Sequence, residues 1–408
     1  MASEKNEMRR KKHNREMREN RDQEVRTRGK FHLFKARGTM DYSLLFIVIF
    51  LLMFGLVMVY SASSYEAMLK LSDPAYYFKK QLIATGLGLV VMAIVALFDY
   101  HIVRPFGKLL YIISVVLILL VKTGLGISAN GATRWLRIGP FSLQPAEVAK
   151  LAVIILFAGV IAGFKKEDFD NWKKLASVMG AAVVVSVFVY KVTSNLSSAV
   201  IIVSIAFFML FIASPKSKLY IGAMIAGVIF VAVVVFIISS SALSEGMSFR
   251  LGRVKAWLDP TAYASSIGFQ TLQALYAIGS GGIGGKGLGQ SMQKLDFLPE
   301  AQNDMIFSVI CEELGLVGAV AIIVLFALLV LRCKNIADNS PDLFGALLSI
   351  GVLIHISLQV ILNIAVVTNT IPNTGITLPF ISYGGTSVVF LLIEIGLVLS
   401  VSRRIVVE

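Results

Sequence analysis

Long apolar runs separated by short polar segments recur along the chain from residue 42 onward. Each run is close to the ~20 residues that a helix needs to cross a bilayer. The pattern therefore predicts an all-α, polytopic integral membrane protein with about ten transmembrane helices. The predicted helices cover residues 42–61, 81–98, 107–121, 146–163, 175–192, 198–213, 219–239, 306–331, 343–367 and 378–401.

Basic residues between the runs predict the side of the membrane that each segment occupies. Lys and Arg favour the cytoplasmic side, and alternate segments carry them: Arg104, Lys108, Lys165, Lys166, Lys173, Lys174, Lys216, Lys218, Arg332, Lys334, Arg403 and Arg404. Both termini are therefore expected in the cytoplasm. Residues 122–144, 369–377 and a large loop at 240–305, between the seventh and eighth helices, are expected outside, and long ordered loops usually carry function.

Composition excludes the soluble, secreted, fibrous and disordered classes. Of the 408 residues, 56% are hydrophobic and 15% are charged, whereas soluble domains are far less apolar. The net charge of +13 is uneven, because residues 1–40 hold 13 Lys or Arg against 6 Asp or Glu. We predict a disordered, basic cytoplasmic tail at 1–40 and a ten-helix membrane domain at 41–408. The tail fits an anionic membrane surface and no nucleic acid, since no aromatic residues are interleaved with its charges.

The first candidate site precedes and enters the fourth predicted helix. Arg134 and Trp135 fit either an interfacial anchor or a contact for an anionic lipid headgroup. Glu147 and Lys150 are spaced i and i+3 and share one face of the helix. An ionisable pair inside a span is either a structural salt bridge or part of a functional site, and the spacing alone leaves both open.

Seven glycines lie among the eleven residues 279–289, and Lys286 is embedded in them. The run contains G-x-G-x-x-G, but a dinucleotide site requires a strand, a turn and a helix of a parallel α/β unit. A P-loop fails because Gly287 follows Lys286 in place of Ser or Thr. Two interpretations remain: a flexible hinge, or a backbone that approaches a diphosphate closely with Lys286 as the cation.

Asp304 directly precedes the eighth predicted helix, at the expected outer surface. A carboxylate there is either a helix N-cap or a general base for a substrate presented from the membrane. Glu312 and Glu313 lie two turns further along. Because adjacent side chains on a helix cannot point the same way, one of these two carboxylates can face a cavity.

The last polar stretch, residues 368–387, is rich in Gly and Pro and leads into the tenth predicted helix. Irregular backbone at membrane depth is tolerated only where it is buried in protein or lines a cavity. A merely kinked helix is the alternative.

Together, residues 130–150, 279–315 and 369–387 resemble the signatures of the SEDS family of bacterial cell-wall proteins, which contains FtsW, RodA and SpoVE. The resemblance extends from residue 41 to the C-terminus. Residues 376–385, Ile-Thr-Leu-Pro-Phe-Ile-Ser-Tyr-Gly-Gly, are closer to the division and sporulation members. The resemblance implies a polytopic peptidoglycan glycosyltransferase that polymerises lipid II and works with a class B penicillin-binding protein and other divisome proteins.

The resemblance also implies roles for single residues. The essential aspartate of the family motif PE-x-x-x-D-x-x-F falls on Asp304. Other matched motif positions fall on Glu300, Phe307, Glu147, Lys150 and Trp135. Residues 193–198 depart from the family, because Thr-Ser-Asn-Leu-Ser-Ser replaces a Gln-Pro-Asp-x-Gly-Thr-like segment. A role tied to that aspartate is therefore not expected here.

The implied reaction is an inverting transfer on the outer face of the cytoplasmic membrane, for septal wall synthesis, with Asp304 as the catalytic base. Arg134, Lys286 and Lys150 are expected to offset the charge of the leaving diphosphate. No metal-ligand cluster is evident, and the one cofactor candidate is a divalent cation that shares this role. The residues predicted to bind substrate are Arg134, Trp135, Glu147, Lys150, Lys286 and Glu300.

Other functions stay open: a lipid II flippase, a non-catalytic scaffold for the penicillin-binding protein, or, within the family, RodA-type elongation. No inverted repeat is evident in the sequence. The polar chemistry concentrates at the outer surface, whereas transporter sites lie near the bilayer midplane. This distribution favours the transferase.

Overall fold

The computed structural model describes residues 38–129, 132–139, 141–240, 249–295 and 297–405. The predicted tail therefore lies almost entirely outside the described residues, as do Asn130, Gly131 and Asp296 of the motifs above. The helices in chain order are α1 (Tyr42–Leu71), α2 (Tyr76–Leu97), α3 (Gly107–Leu120), α4 (Pro145–Ile161), α5 (Trp172–Thr193), α6 (Leu196–Ala213), α7 (Ser217–Ser240), α8 (Phe249–Leu258), α9 (Phe269–Gly281), α10 (Ile306–Asp338), α11 (Leu343–Val367) and α12 (Gly385–Ser402).

Nine helical segments in the described part of the chain are long and apolar enough to cross a membrane. The tenth predicted span is α4, a helix of 17 residues of which 14 are buried. A helix that is apolar on all sides is typical of a bundle interior, and α4 packs against α3, α6 and α11. The prediction of an all-α, multi-pass membrane protein is confirmed.

Helix ends differ from the predicted ones where polar side chains find partners. The prediction ended α1 at Ser61, but α1 continues to Leu71. The hydroxyl of Ser61 donates to Glu313 at 2.7 Å, and that of Ser63 donates to the Val59 carbonyl at 2.7 Å. Because both hydroxyls are satisfied, they do not interrupt the helix.

Segment 193–198, where the family motif is absent, is a helix junction. The Asn195 side chain accepts a hydrogen bond from the Ser198 backbone N–H at 3.0 Å and caps α6. Asp342 caps α11 in the same way, accepting from the Gly345 N–H at 2.9 Å. Such caps satisfy donors that the first helical turn leaves free.

The last helix begins at Gly385, seven residues after its predicted start. The preceding segment is irregular, since Ser382 uses its hydroxyl to accept from the Leu378 N–H at 2.8 Å and to donate to the Asn303 carbonyl at 2.6 Å. Ile381 and Ser382 are buried. The break is therefore packed inside protein, as irregular backbone at membrane depth requires.

The described chain begins and ends at one end of the bundle, which we call the terminal end. The Gly38 N–H donates to the Arg403 carbonyl at 3.0 Å, and the Asp41 N–H to the Ser402 hydroxyl at 3.2 Å. We call the opposite end the site end. There the segment predicted as a loop at 122–144 forms a small antiparallel sheet of β1 (Gly126–Ala129), β2 (Ala132–Ile138) and β3 (Phe141–Leu143). The helices α8 and α9 lie within the predicted loop at 240–305.

Candidate functional site

Asp304 lies in the turn before α10, and its side chain does not cap that helix. The residue at the cap position is Met305, which makes no side-chain capping bond. The Asn363 side-chain amide holds the Asp304 backbone by donating to its carbonyl at 2.8 Å and to the Ile376 carbonyl at 2.7 Å. The carboxylate is therefore available for chemistry, although Asp304 is only 9% exposed.

The surroundings of Asp304 hold the pKa of its carboxyl group near neutral pH. Burial and, next, the charge of Glu300 raise the pKa of Asp304 to about 7, against the lowering effect of Arg253 and Arg134. Glu300 has a left-handed backbone with φ of 57°, and its carboxylate accepts from the Asn303 side-chain amide. A carboxyl group with a pKa near the working pH can serve as a general base or acid.

Two arginines from different elements act on this carboxyl group through their charges. Arg134 and its neighbour Trp135 are half-buried on β2, and burial lowers the pKa of Arg134 while Asp304 opposes the shift. The Arg134 Nε is buried without a hydrogen-bond partner among the described residues. Arg253 on α8 donates from NH1 to the Asn373 carbonyl at 3.1 Å. The site thus presents two cations beside one carboxylate.

The loop between α11 and α12 covers the turn that carries Asp304. The Tyr383 N–H donates to the Gln302 carbonyl at 2.9 Å. A Cβ atom added to Gly375 would lie 3.5 Å from Asp304 Oδ2, and φ at this glycine is +66°. The loop is joined to α8 as well, because Trp257 Nε1 donates to the Asn369 carbonyl at 3.0 Å. The positive φ at position 375 favours glycine, whereas a Cβ atom at this distance would make only an ordinary contact.

Glu147 and Lys150 form a buried ion pair in the first two turns of α4. Lys150 Nζ lies 2.8 Å from Glu147 Oε1, and the two side chains are 1% and 5% exposed, respectively. The second carboxylate oxygen of Glu147 is buried without a partner among the described residues. Of the two interpretations of this pair, a structural salt bridge or part of a functional site, the geometry matches the salt bridge. Their predicted contact with substrate stays a prediction.

The glycine-rich loop packs on a break in α10. The backbone N–H groups of Lys286 and Gly287 donate to the Glu312 and Glu313 carbonyls at 3.0 and 2.9 Å. These carbonyls are left open because Gly315 departs from helical geometry, with φ of 66° and ψ of −165°. The two amides are therefore occupied by α10 and are not free to bind an anion, and a diphosphate contact of the rest of the loop stays a prediction.

Lys286 and the two adjacent glutamates are ion-paired. Lys286 Nζ lies 2.7 Å from Glu312 Oε1, and Lys294 Nζ lies 2.7 Å from Glu313 Oε1. Both glutamate side chains are fully buried. Lys286 keeps 34% side-chain exposure, so its predicted contact with a diphosphate is neither established nor removed by this pairing.

The comparison with protein families decides the classification. The model of the FtsW/RodA/SpoVE cell cycle proteins matches residues 42–405. The chain belongs to this family. The SEDS resemblance of the motifs is thereby confirmed over the whole membrane domain.

Relatives in the FtsW/RodA/SpoVE family match over most of their length. The chain is 38% identical to stage V sporulation protein E of Bacillus subtilis (strain 168) over 365 residues, which are 89% of this chain and 97% of the relative. It is 37% identical to a probable peptidoglycan glycosyltransferase FtsW of Trichlorobacter lovleyi, covering 89% of this chain and 93% of the relative. The FtsW of Bacillus subtilis is 37% identical, with 91% and 92% covered.

Solved structures of the family have the same fold. One comes from work on the structural coordination of polymerization and crosslinking by a peptidoglycan synthase complex. It matches with a TM-score of 0.72 and 26% identity over 90% of this chain and 98% of that chain. The rod shape determining protein RodA of Thermus thermophilus matches with a TM-score of 0.62 and 25% identity over 91% and 99%.

The described residues contain no group of three or more His, Cys, Asp or Glu side chains that could hold a metal ion.

The site brings together residues that their spacing in the sequence could not reveal. Arg253, Gln270 and Asn373 belong to α8, α9 and the loop before α12. The one signal for Arg253 in the sequence is the basic character of α8. The sequence contains no signal for the side-chain amides of Gln270 and Asn373.

Proposed function

We infer that this chain is a peptidoglycan glycosyltransferase that polymerises lipid II into glycan strands. The observation that carries the inference is Asp304: a buried carboxyl group just before α10, with a pKa raised to about 7, on which the charges of Arg134 on β2 and Arg253 on α8 act. The relatives described as probable peptidoglycan glycosyltransferases support the same activity.

In the proposed reaction, Asp304 takes the proton of a sugar hydroxyl on one lipid II while that oxygen attacks the anomeric carbon of the other substrate. The bond from this carbon to the diphosphate breaks on the opposite face, and undecaprenyl diphosphate leaves with the electron pair. The configuration of the carbon is inverted. A base with a pKa near 7 is well matched to this proton transfer at neutral pH.

Stabilising the negative charge on the leaving diphosphate requires cations that are positioned before the reaction begins. Arg134 and Arg253 are the two cations whose charges act on Asp304, and a guanidinium binds two phosphate oxygens at once. Trp135 follows Arg134 on β2, where successive side chains leave opposite faces of the strand, and its contact with substrate stays a prediction. Lys286 and Lys150 remain predicted contributors. Such preorganised charge stabilises the transition state without reorganisation.

A divalent cation stays the cofactor candidate, although the described residues include no group of three or more side chains that could hold a metal ion. When bound, it would supply further positive charge to the diphosphate.

We propose that the site end faces the outside of the bacterial cytoplasmic membrane and that both termini are cytoplasmic. Positive charge at the terminal end supports this orientation, since Arg403 and Arg404 follow α12 there. The identity to FtsW and SpoVE supports a role in septal or sporulation wall synthesis. By analogy with the relative in a peptidoglycan synthase complex, we propose a class B penicillin-binding protein and other divisome proteins as partners.

Reconstitution of the full chain in liposomes with lipid II tests the proposal, with and without the penicillin-binding partner. Glycan strands identify a transferase. Leaflet exchange of lipid II without strands identifies a flippase, and neither activity with a partner bound identifies a scaffold. Only the first result supports the proposal.

The Asp304→Asn variant is expected to lose strand synthesis and to keep its fold and partner. Asp259→Asn is the matched control, because Asp259 is an exposed carboxylate between α8 and α9 that bonds locally to Thr261. If Asp304→Asn polymerised lipid II at the rate of the control, Asp304 would not be the base.

A further inference from the structure

A chain of side-chain amides runs from the α11–α12 loop to Asp304. The Gly375 backbone N–H donates to Asn373 Oδ1 at 3.1 Å. Asn373 Nδ2 then donates to Gln270 Oε1 at 2.8 Å. Gln270 Nε2 donates to the Pro299 carbonyl at 3.1 Å and lies 3.5 Å from Asp304 Oδ1. Two backbone groups and two amides therefore form one polarised path that ends at the carboxylate.

The backbone groups at the two ends fix the orientation of both amides. A backbone N–H can only donate, so the oxygen of Asn373 must face Gly375 and its nitrogen must face Gln270. A backbone carbonyl can only accept, so the nitrogen of Gln270 must face Pro299. The opposite orientation of Gln270 would place its oxygen against the carboxylate of Asp304. The network thus directs an N–H donor at Asp304.

The loop before α12 and the turn that carries Asp304 are held by hydrogen bonds other than those of the Gln270 and Asn373 side chains. Arg253 donates to the Asn373 carbonyl at 3.1 Å, and Asn363 joins the Asp304 carbonyl to the Ile376 carbonyl at 2.8 and 2.7 Å. The separation of 3.5 Å between Gln270 Nε2 and Asp304 Oδ1 is longer than a full hydrogen bond. Catalytic hydrogen bonds are often long without substrate and shorten in the reacting complex.

We propose that Gln270 is a positioning residue for Asp304: held by Asn373, its amide stabilises the carboxylate form of the base and fixes the rotamer that faces the acceptor hydroxyl. The proposal rests on the proposed function, because it assigns Gln270 to the same reaction. Gln270 acts through Asp304 and need not touch substrate. Packing alone gives a different expectation, since Gln270 would then only join α9 to the turn before α10.

The test compares Gln270→Leu and Gln270→Glu in the full-length protein, with Gln273→Leu as the matched control on the same helix. Two measurements are made across pH: the rate of lipid II polymerisation with the partner present, and the infrared band of the protonated Asp304 carboxyl, assigned by its loss in Asp304→Asn. The infrared band reports on Asp304 whether or not the preparation is active.

Removal of the donor in Gln270→Leu should raise the pKa of Asp304 and move the acid limb of the rate profile and the infrared midpoint up by about one pH unit. At pH 7 the turnover rate should fall roughly fivefold with little change in KM, because the deprotonated fraction of Asp304 falls from about one half to about one tenth. Gln270→Glu, which keeps the size of the side chain, should shift further because it adds a second carboxylate. A packing role predicts that this variant is the milder one.

Asn373→Leu should give a shift in the same direction, and the double variant Gln270→Leu with Asn373→Leu should add little to Gln270→Leu, because both act on one path. An infrared midpoint in Gln270→Leu equal to that of Gln273→Leu would overturn the inference. If the wild-type protein formed no strands while the midpoint still shifted, the proposed function would fail and the coupling of Gln270 to Asp304 would stand.

Discussion

His355 Nδ1 on α11 lies 2.8 Å from Glu394 Oε2 on α12, inside the helix bundle. The two side chains are 1% and 0% exposed. Ionisable groups within a span are costly unless they are paired. The pair therefore joins the last two helices where water cannot replace either hydrogen-bond partner.

His355→Ala should destabilise the protein by about 1–3 kcal/mol, because it leaves the Glu394 carboxyl group buried without its hydrogen-bond partner. Thermal unfolding in detergent measures the change. Replacing both residues by Leu should recover most of the loss, since neither polar side chain of the pair is then left buried without its partner.

Ile361→Ala is the control for His355→Ala, because Ile361 lies on the same helix and is 62% exposed to the surroundings of the bundle. It should change the unfolding temperature little. Equal effects of His355→Ala and Ile361→Ala would show that the hydrogen bond between His355 and Glu394 does not stabilise the fold.

Gly315→Ala should detach the glycine-rich loop from α10. A Cβ atom at position 315 would lie 2.3 Å from the Gly285 backbone nitrogen and 2.4 Å from the Ile283 carbonyl oxygen. The backbone of Gly315, with φ of 66° and ψ of −165°, also lies in a region open almost only to glycine. We expect a loss of at least about 2 kcal/mol in the free energy of unfolding.

Gly284→Ala is the matched control for Gly315→Ala in the same motif. A Cβ at Gly284 meets nothing within 4 Å, so this variant should unfold as the wild type does. A stable Gly315→Ala protein with the loop protected from hydrogen exchange would contradict the packing described here.

Features that depend on local spacing could be predicted from the sequence. Asp304 was found because it precedes a long apolar run, and Glu147 and Lys150 because i and i+3 share a helix face. Their partners across the fold could not be found in this way. Gln270 and Asp304 are 34 positions apart, and His355 and Glu394 are 39 apart. Only the packing of helices brings such residues together.

The small sheet and the observed helix ends could not be predicted either, because short strands and distant partners leave no clear pattern in the sequence. Strands of four, seven and three residues are too short for a clear alternating pattern. The sequence prediction ends α1 at Ser61, whereas that hydroxyl is bonded to Glu313 on α10 and the helix continues. A serine inside a span therefore does not by itself mark a helix end.

Lys286→Met should lower the stability of the protein. It removes the partner of the fully buried Glu312 carboxylate, which Lys286 contacts at 2.7 Å. The expected loss is about 1–3 kcal/mol, since Ser291 and the Met292 N–H still bond that carboxylate. Lys122→Met, an exposed lysine after α3, is the control. A large rise in KM for lipid II at unchanged stability would instead support the predicted diphosphate contact of Lys286.

The pH dependence of strand synthesis should follow the protonation of Asp304. The pKa of this carboxyl is raised to about 7, first by burial and then by Glu300. Since the base must be deprotonated, the rate should fall as the pH drops below that value. Glu300→Gln removes a like charge, so the pKa of Asp304 should fall and the acid limb should move to lower pH. Arg253→Gln should move it to higher pH, because a nearby cation that lowers the pKa is lost. Glu167→Gln, an exposed glutamate between α4 and α5, should leave the profile in place. Opposite shifts from Glu300→Gln and Arg253→Gln would identify Asp304 as the titrating base, and a profile unchanged in both would assign the acid limb to another group.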